Sequence, residues 1–176
     1  MVEAQDPARN LAQAKAANEE ALKLIEHGDL GAAEKHLKAA LKADPLYGPA
    51  HNSLGIVYYR RNDYYQAACE FQAAASIMSR KAEPRNNLGL VMEAAGRLED
   101  AAKSYEDALS VEPSAVEVMA NLARVRIRMN RNDERTRQLL EDIILKDTRS
   151  QWVSWARQRL ITMCSTRQAS SAPAED

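Results

Sequence analysis

Three asparagines, Asn18, Asn52 and Asn86, recur in this chain at a constant interval of 34 residues. A carboxamide both donates and accepts hydrogen bonds. A row of carboxamides can therefore bind the backbone of an extended peptide without reading its side chains. A second pair with the same interval, Asn87 and Asn121, lies one position further along. This spacing predicts a surface that binds another polypeptide.

Apolar and basic residues accompany the asparagines at the same interval. The positions four beyond the first series hold Leu22, Ile56, Leu90 and Arg124, and beside them stand Tyr59, Arg60, Ile127 and Arg128. Apolar residues flanked by polar ones are typical of a recognition strip. The predicted partner-binding site consists of Asn18, Asn52, Ile56, Tyr59, Arg60, Asn86, Asn87, Leu90, Asn121, Arg124 and Arg128.

Residue types that catalyse reactions or bind metals do not converge in the sequence. Cys69 and Cys164 lie far apart, without the Cys-x-x-Cys spacing of metal or redox sites. The histidines, His27, His36 and His51, lack a further ligand at helical spacing. No glycine-rich phosphate loop or serine elbow is found. We therefore expect no catalytic residues, no metal and no cofactor, and a protein that is not an enzyme.

The 34-residue interval also governs the apolar residues. Leu54-Gly55 recurs as Leu88-Gly89, and the later matches are Ala67 with Ala101, Phe71 with Tyr105, and Ala74 with Ala108. A fixed period of about 20–50 residues is typical of stacked repeat proteins. Such proteins work by displaying a surface, so the period favours binding over catalysis.

These residues resemble the tetratricopeptide repeat. One copy reads Leu54, Gly55, Tyr58, Ala67, Phe71 and Ala74; the next reads Leu88, Gly89, Met92, Ala101, Tyr105, Ala108 and Pro113; a looser first copy reads Ala21, Leu24, Gly28, Ala33, Leu37, Ala40 and Pro45. The resemblance covers roughly residues 14–147. It implies an all-α, right-handed solenoid of helix-turn-helix repeats. It also implies a concave groove, lined by the first helix of each repeat, in which partners bind.

Apolar spacing supports the same organisation, since each period contains two segments with apolar residues at helical intervals. The sequence predicts a single domain over 1–163 with a tail after it. Its parts are repeats at about 14–47, 48–81, 82–115 and 116–148, a cap helix at 149–163, and a disordered tail at 164–176.

The two ends of the array depart from the period. Asp6-Pro7 is typical of a helix start, so the first helix is expected to begin there and to end near His27. In the fourth repeat, a strict period would bury Arg135. One inserted residue between 129 and 133 places Thr136 at that position instead, which avoids burying an unpaired charge.

Composition narrows the class of partner. The net charge of −1 gives no global attraction to nucleic acid or to an anionic membrane, and no apolar stretch has the length of a membrane span. The expected partner is therefore a protein or peptide. Free thiols and a polar N-terminus favour the cytoplasm, and a periplasmic location stays open.

Two functions remain open after this reasoning. The first is an adaptor that binds a peptide or helical segment of a partner in its groove, and the second is a scaffold that self-associates. The asparagine series resembles the ladder of O-linked N-acetylglucosamine transferase, which holds peptide main chains. The family's basic clamp for chaperone C-termini would need Lys or Arg at Asn18, Leu22 and Glu83, which argues against that kind of cofactor.

Overall fold

The computed structural model describes residues 7–170, and side chains at 10–149 and 151–163. Within this part the chain forms nine helices and no strand. They are α1 (Pro7–Glu26), α2 (Leu30–Ala43), α3 (Gly48–Arg60), α4 (Tyr64–Ile77), α5 (Glu83–Ala94), α6 (Leu98–Val111), α7 (Val116–Arg128), α8 (Glu134–Lys146) and α9 (Ser150–Ser170).

The helices stack in chain order. α1 packs on α2, α3 on α4, α5 on α6 and α7 on α8, and each pair contacts the next through its second helix. The first helices α1, α3 and α5 also touch their successors of the same kind. One pair cannot bury its own apolar face, so this stacking creates the continuous core. The predicted all-α solenoid is confirmed.

The turn inside each pair has the same backbone conformation. Gly28, Asn62, Gly96 and Asn130 have φ values of 83°, 63°, 75° and 58°. This left-handed region is open to glycine and tolerated by asparagine. These four residues keep the strict 34-residue interval, so the turns define the repeat as sharply as the core does.

The fourth pair contains the predicted insertion. Thr136 is fully buried, and its backbone N–H donates to the Asp133 carboxylate at 3.1 Å, which caps α8. Arg135 remains partly exposed and pairs with Glu106 at 2.8 Å. Since Asn130 still holds its turn position, the extra residue lies between Asn130 and Thr136. The prediction of Thr136 at the small site is confirmed.

Glycine allows the two helices of the second and third pairs to approach closely. A Cβ built on Gly55 would lie 2.7 Å from the Phe71 ring, and one built on Gly89 would overlap the Tyr105 ring. Both rings are buried, Tyr105 completely. These glycines are therefore small because an aromatic ring of the second helix lies flat against the first helix.

The ends of the array are partly as expected. α1 begins at Pro7 as predicted, and the proposed cap residue Asp6 lies outside the described residues. The predicted end of the cap helix at Met163 is wrong, because α9 continues to Ser170. The segment lacks glycine and proline until Pro173, so nothing in it interrupts the helix. The rest of the predicted tail, 171–176, lies outside the described residues.

α9 covers the last repeat pair. It packs on α8, and Ala156 is completely buried in that contact. Trp152 and Trp155 are partly buried against the core of the last two pairs. Their rings meet edge to face with centroids 5.9 Å apart. This arrangement is what a solenoid needs at an end, since an uncovered pair would expose its apolar face.

Candidate functional site

Two adjoining depressions lie along the first helices of the second, third and fourth pairs. The first is lined by Ile56, Tyr59, Arg60, Phe71, Asn87 and Leu90, and the second by Tyr59, Leu90, Glu93, Ala94, Arg124 and Arg128. Because both are lined by Tyr59 and Leu90, they form one continuous surface, which we call the trough. It runs across α3, α5 and α7.

The first depression is largely apolar. Ile56, Tyr59 and Leu90 are each half-buried, and the buried Phe71 ring of α4 contributes to the lining. The Tyr59 ring is fixed against Tyr64, with centroids 6.0 Å apart. A fixed aromatic ring beside aliphatic side chains forms a preorganised site for an apolar group.

The second depression contains a charged cluster. The Glu93 carboxylate accepts hydrogen bonds from Arg124 Nη2 at 2.9 Å and from Arg128 Nη1 at 2.6 Å. The Tyr105 hydroxyl donates to the same carboxylate at 3.2 Å. Since Arg124 and Arg128 lie one turn apart on α7, the carboxylate from α5 separates two like charges that would otherwise repel each other. The cluster therefore joins the third and fourth pairs.

Ionisation in this cluster is well defined. Burial acts to raise the pKa of Glu93, but the hydrogen bonds from Arg124, Arg128 and Tyr105 outweigh it and leave that pKa below its usual range. The bond to Glu93 raises the pKa of Arg124. Burial raises the pKa of Tyr105 far above its usual range. At neutral pH the cluster therefore holds two guanidinium cations, one carboxylate and a neutral phenol.

Arg60 adds a further positive charge to the trough. Its Nη1 donates to the backbone carbonyl of Ile25 at 2.6 Å, which satisfies a carbonyl in the last turn of α1. Among the described residues no carboxylate pairs with Arg60. The trough is thus lined by three arginines and one glutamate, a surplus of two positive charges in a chain whose net charge is −1.

The asparagines are not presented to a ligand as predicted. Asn18, Asn52, Asn86 and Asn121 are buried, with exposures of 5–8%. Asn87 Nδ2 donates to Asn52 Oδ1 at 3.0 Å, and Asn121 Nδ2 donates to Asn86 Oδ1 at 2.9 Å. The expected backbone-binding ladder is therefore wrong for these buried amides. They bond to each other across neighbouring repeats, and only Asn87 lines the trough.

The amide pairs follow a rule that the 34-residue interval conceals. Each pair joins a residue to the one 35 positions later, as for Asn52 with Asn87. At the first junction the same rule matches Asn18 with Ser53, and Asn18 Oδ1 is buried without a hydrogen-bond partner among the described residues. After the one-residue insertion, the last junction matches Ala120 with Ala156, both completely buried. There both polar partners are replaced together, which leaves no amide unsatisfied.

Removing one amide of a pair should destabilise the fold. We expect Asn86→Ala to lower the free energy of unfolding by about 1–2 kcal/mol, because it leaves the buried Asn121 amide without its acceptor. The double variant Asn86→Ala/Asn121→Ala should cost less than the sum of the single variants. Urea unfolding of the four proteins measures this coupling, with the exposed Gln138→Ala as control. Strict additivity would contradict the role of the pair.

Sequence reasoning identifies most of the trough. Seven of the predicted site residues line it: Ile56, Tyr59, Arg60, Asn87, Leu90, Arg124 and Arg128. Phe71, Glu93 and Ala94 are missing from the prediction. A signal for Glu93 is present in the sequence, because it lies 34 residues after Tyr59 and 34 before Ile127, and both of these belong to the predicted strip.

Other kinds of site are not found in the part of the chain that the structure describes. Residues 7–170 contain no group of three or more His, Cys, Asp or Glu side chains that could hold a metal ion. Across the same residues, no helix combines the length and apolar character needed to cross a membrane. Cys69 is an exposed free thiol on α4.

Two models of the family described as "Tetratricopeptide repeat" match the sequence, one over residues 18–83 and the other over 93–154. Together they cover most of the chain and correspond to the stacked pairs from α1 to the start of α9. Comparison with proteins of curated function finds no match.

Solved structures with the same fold share little sequence with the chain. PilF of Pseudomonas aeruginosa is 21% identical with a TM-score of 0.75, and the match covers 94% of this chain and 79% of PilF. The first repeat domain of Spaghetti (RPAP3), bound to an HSP90 peptide, is 21% identical with a TM-score of 0.65 over 68% and 95%. An O-GlcNAc transferase variant of Thermobaculum terrenum is 24% identical with a TM-score of 0.66 over 77% and 26%.

Proposed function

Since the chain belongs to the tetratricopeptide repeat family, we propose that it is a non-catalytic protein-interaction module that binds a segment of a partner protein in the trough. The observation that carries this proposal is the convergence of seven residues, identified from spacing alone, on one continuous surface of α3, α5 and α7. The similar domain of Spaghetti (RPAP3) is bound to a peptide, which supports a peptide segment as the ligand.

The partner differs from a chaperone C-terminus in this proposal. The positions of the family's basic clamp hold Asn18, Leu22 and Glu83. Asn18 is buried, and the Glu83 carboxylate accepts a hydrogen bond from Asn52 Nδ2 at 2.8 Å. A carboxylate at a clamp position repels the acidic groups that the clamp binds. The positive charge of this protein lies instead further along the array, on α7.

Blocking the trough tests the proposal. Ala94 is exposed at the end of α5 and lines the second depression, so Ala94→Trp fills the binding surface without disturbing the core. We expect peptides selected from a random phage-displayed library on the wild-type protein to bind Ala94→Trp at least about tenfold more weakly, the effect of losing a central contact. Fluorescence anisotropy with the selected peptides measures the loss.

Ala39→Trp is the matched control, because Ala39 is also an exposed helical alanine and lies outside the trough. It should bind the selected peptides like the wild type, and both variants should keep the wild-type melting temperature. Equal binding by Ala94→Trp would exclude the trough as the site. Concentration-dependent assembly in light scattering, together with that result, would favour the self-associating scaffold.

A further inference from the structure

The trough also indicates what kind of segment it accepts. Resting on the function proposed above, we propose that the ligand is an acidic segment with an apolar anchor residue. In this binding mode a carboxylate of the ligand docks on Arg128 and Arg124, and a neighbouring apolar side chain enters the depression formed by Ile56, Tyr59 and Leu90.

The charge of the trough carries the first part of the inference. Its surplus of two positive charges is opposite in sign to the net charge of the chain. Charge concentrated against the trend of the whole protein attracts ligands of opposite charge and speeds their association. A basic segment would be repelled, and a neutral one would leave three arginines only partly compensated.

The hydrogen bonding of Glu93 carries the second part. Glu93 is mostly buried, with 13% of its side chain exposed, whereas Arg128 is 48% exposed. The carboxylate accepts from Arg124 Nε and Nη2 and from Arg128 Nη1. The outward donors of Arg128 remain for a second carboxylate, and a guanidinium binds carboxylates through paired N–H groups. Glu93 thus holds the two arginines in place and neutralises half of their charge.

The position of the apolar depression carries the third part. Tyr59 and Leu90 line both depressions, so the charged and apolar contacts are neighbours on one surface. An apolar anchor in a preformed pocket contributes affinity, and a charged contact at its edge contributes orientation and association rate. Together they specify a short segment in which an acidic residue stands near a large apolar residue.

Two pairs of matched substitutions test this inference on the full chain with peptides selected from the same random phage-displayed library. Arg128→Gln removes a trough cation and leaves Arg124 to pair Glu93, and its control is Arg131→Gln, which breaks the exposed pair with Glu99. Glu93→Gln removes the internal carboxylate with little change of shape, and its control is Glu99→Gln. Within each pair the net charge changes equally, so a difference between its members arises from the trough.

We expect the selected peptides to be rich in Asp or Glu close to Leu, Met or an aromatic residue. Arg128→Gln should weaken their binding about tenfold, the scale of a charge-assisted hydrogen bond. Glu93→Gln should tighten it about threefold or more, because the internal competitor is lost. Neither control should change the dissociation constant. Glu93→Gln remains informative if Arg128→Gln lowers the melting temperature.

The opposite results are distinguishable. Neutral or basic peptides, or acidic peptides whose affinity does not respond to Arg128→Gln and Glu93→Gln, would overturn the acidic ligand; if Ala94→Trp still abolished their binding, the trough would remain the site. Weaker binding of every peptide to Glu93→Gln would assign Glu93 a purely structural role and would also overturn the inference. Failure to select any peptide that Ala94→Trp blocks would remove the proposed function together with it.

Discussion

Ala156→Glu is expected to detach α9 from the last repeat pair. Ala156 is completely buried between α9 and α8, in an apolar contact where a carboxylate would lack a partner. An uncompensated buried charge costs about 3–5 kcal/mol. The helix can avoid that cost by undocking, so we expect a melting temperature lower by about 6 °C or more, with aggregation through the exposed apolar face.

Tryptophan fluorescence follows this event directly. The chain has two tryptophans, and both Trp152 and Trp155 lie on α9, partly buried against the core. Their emission should shift to longer wavelength in Ala156→Glu before global unfolding, which circular dichroism monitors separately. The control is Arg157→Glu, which places the same side chain at the exposed neighbouring position. Native-like emission from Ala156→Glu would show that the tryptophans do not depend on docking of α9.

Gly89→Ala should reduce stability by about 2–3 kcal/mol, although alanine usually strengthens a helix. The new methyl group would overlap the Tyr105 ring. That ring is completely buried and its hydroxyl is bonded to Glu93, so it cannot move aside. Urea denaturation measures the loss. Because Tyr105 also holds Glu93, we expect the same variant to weaken peptide binding.

Gly31→Ala is the matched control. Gly31 is also helical, but a Cβ there would meet only Asp29 Oδ1, at an ordinary 3.6 Å. This variant should be as stable as the wild type or gain about 0.5–1 kcal/mol. Tyr105→Leu should partly relieve the effect of Gly89→Ala in a double-mutant cycle. If Gly89→Ala and Gly31→Ala have the same effect, close contact between helix and ring is not the reason for Gly89.

The candidate site illustrates how far spacing alone can lead. An interval of 34 residues identifies equivalent positions in successive repeats, so it is sufficient to assign Ile56, Leu90 and Arg124 to one surface. The interval does not give the depth of a position. Asn52 and Asn86 occupy equivalent positions as predicted, but they lie behind the trough, where their amides pair with Asn87 and Asn121.

The pairing of charges is likewise beyond the sequence. Arg124 and Arg128 can be recognised as sharing a helix face because they are four residues apart. Their common partner, Glu93, lies on another helix, and its distance from them depends on how α5 packs beside α7. Local periodicity contains no information on that packing, so spacing alone predicts arginines that are free for a ligand.

The sequence by itself determined the repeat, the helix pairs, the insertion before Thr136 and the presence of a capping helix. Each of these depends on a local property: apolar periodicity, the need for a small residue at a crossing, or the cost of burying Arg135. The tertiary structure alone decided which polar groups are consumed inside the stack and which remain exposed. That outcome depends on the angle and offset between neighbouring pairs, which place residues 35 apart, rather than 34, in hydrogen-bond contact.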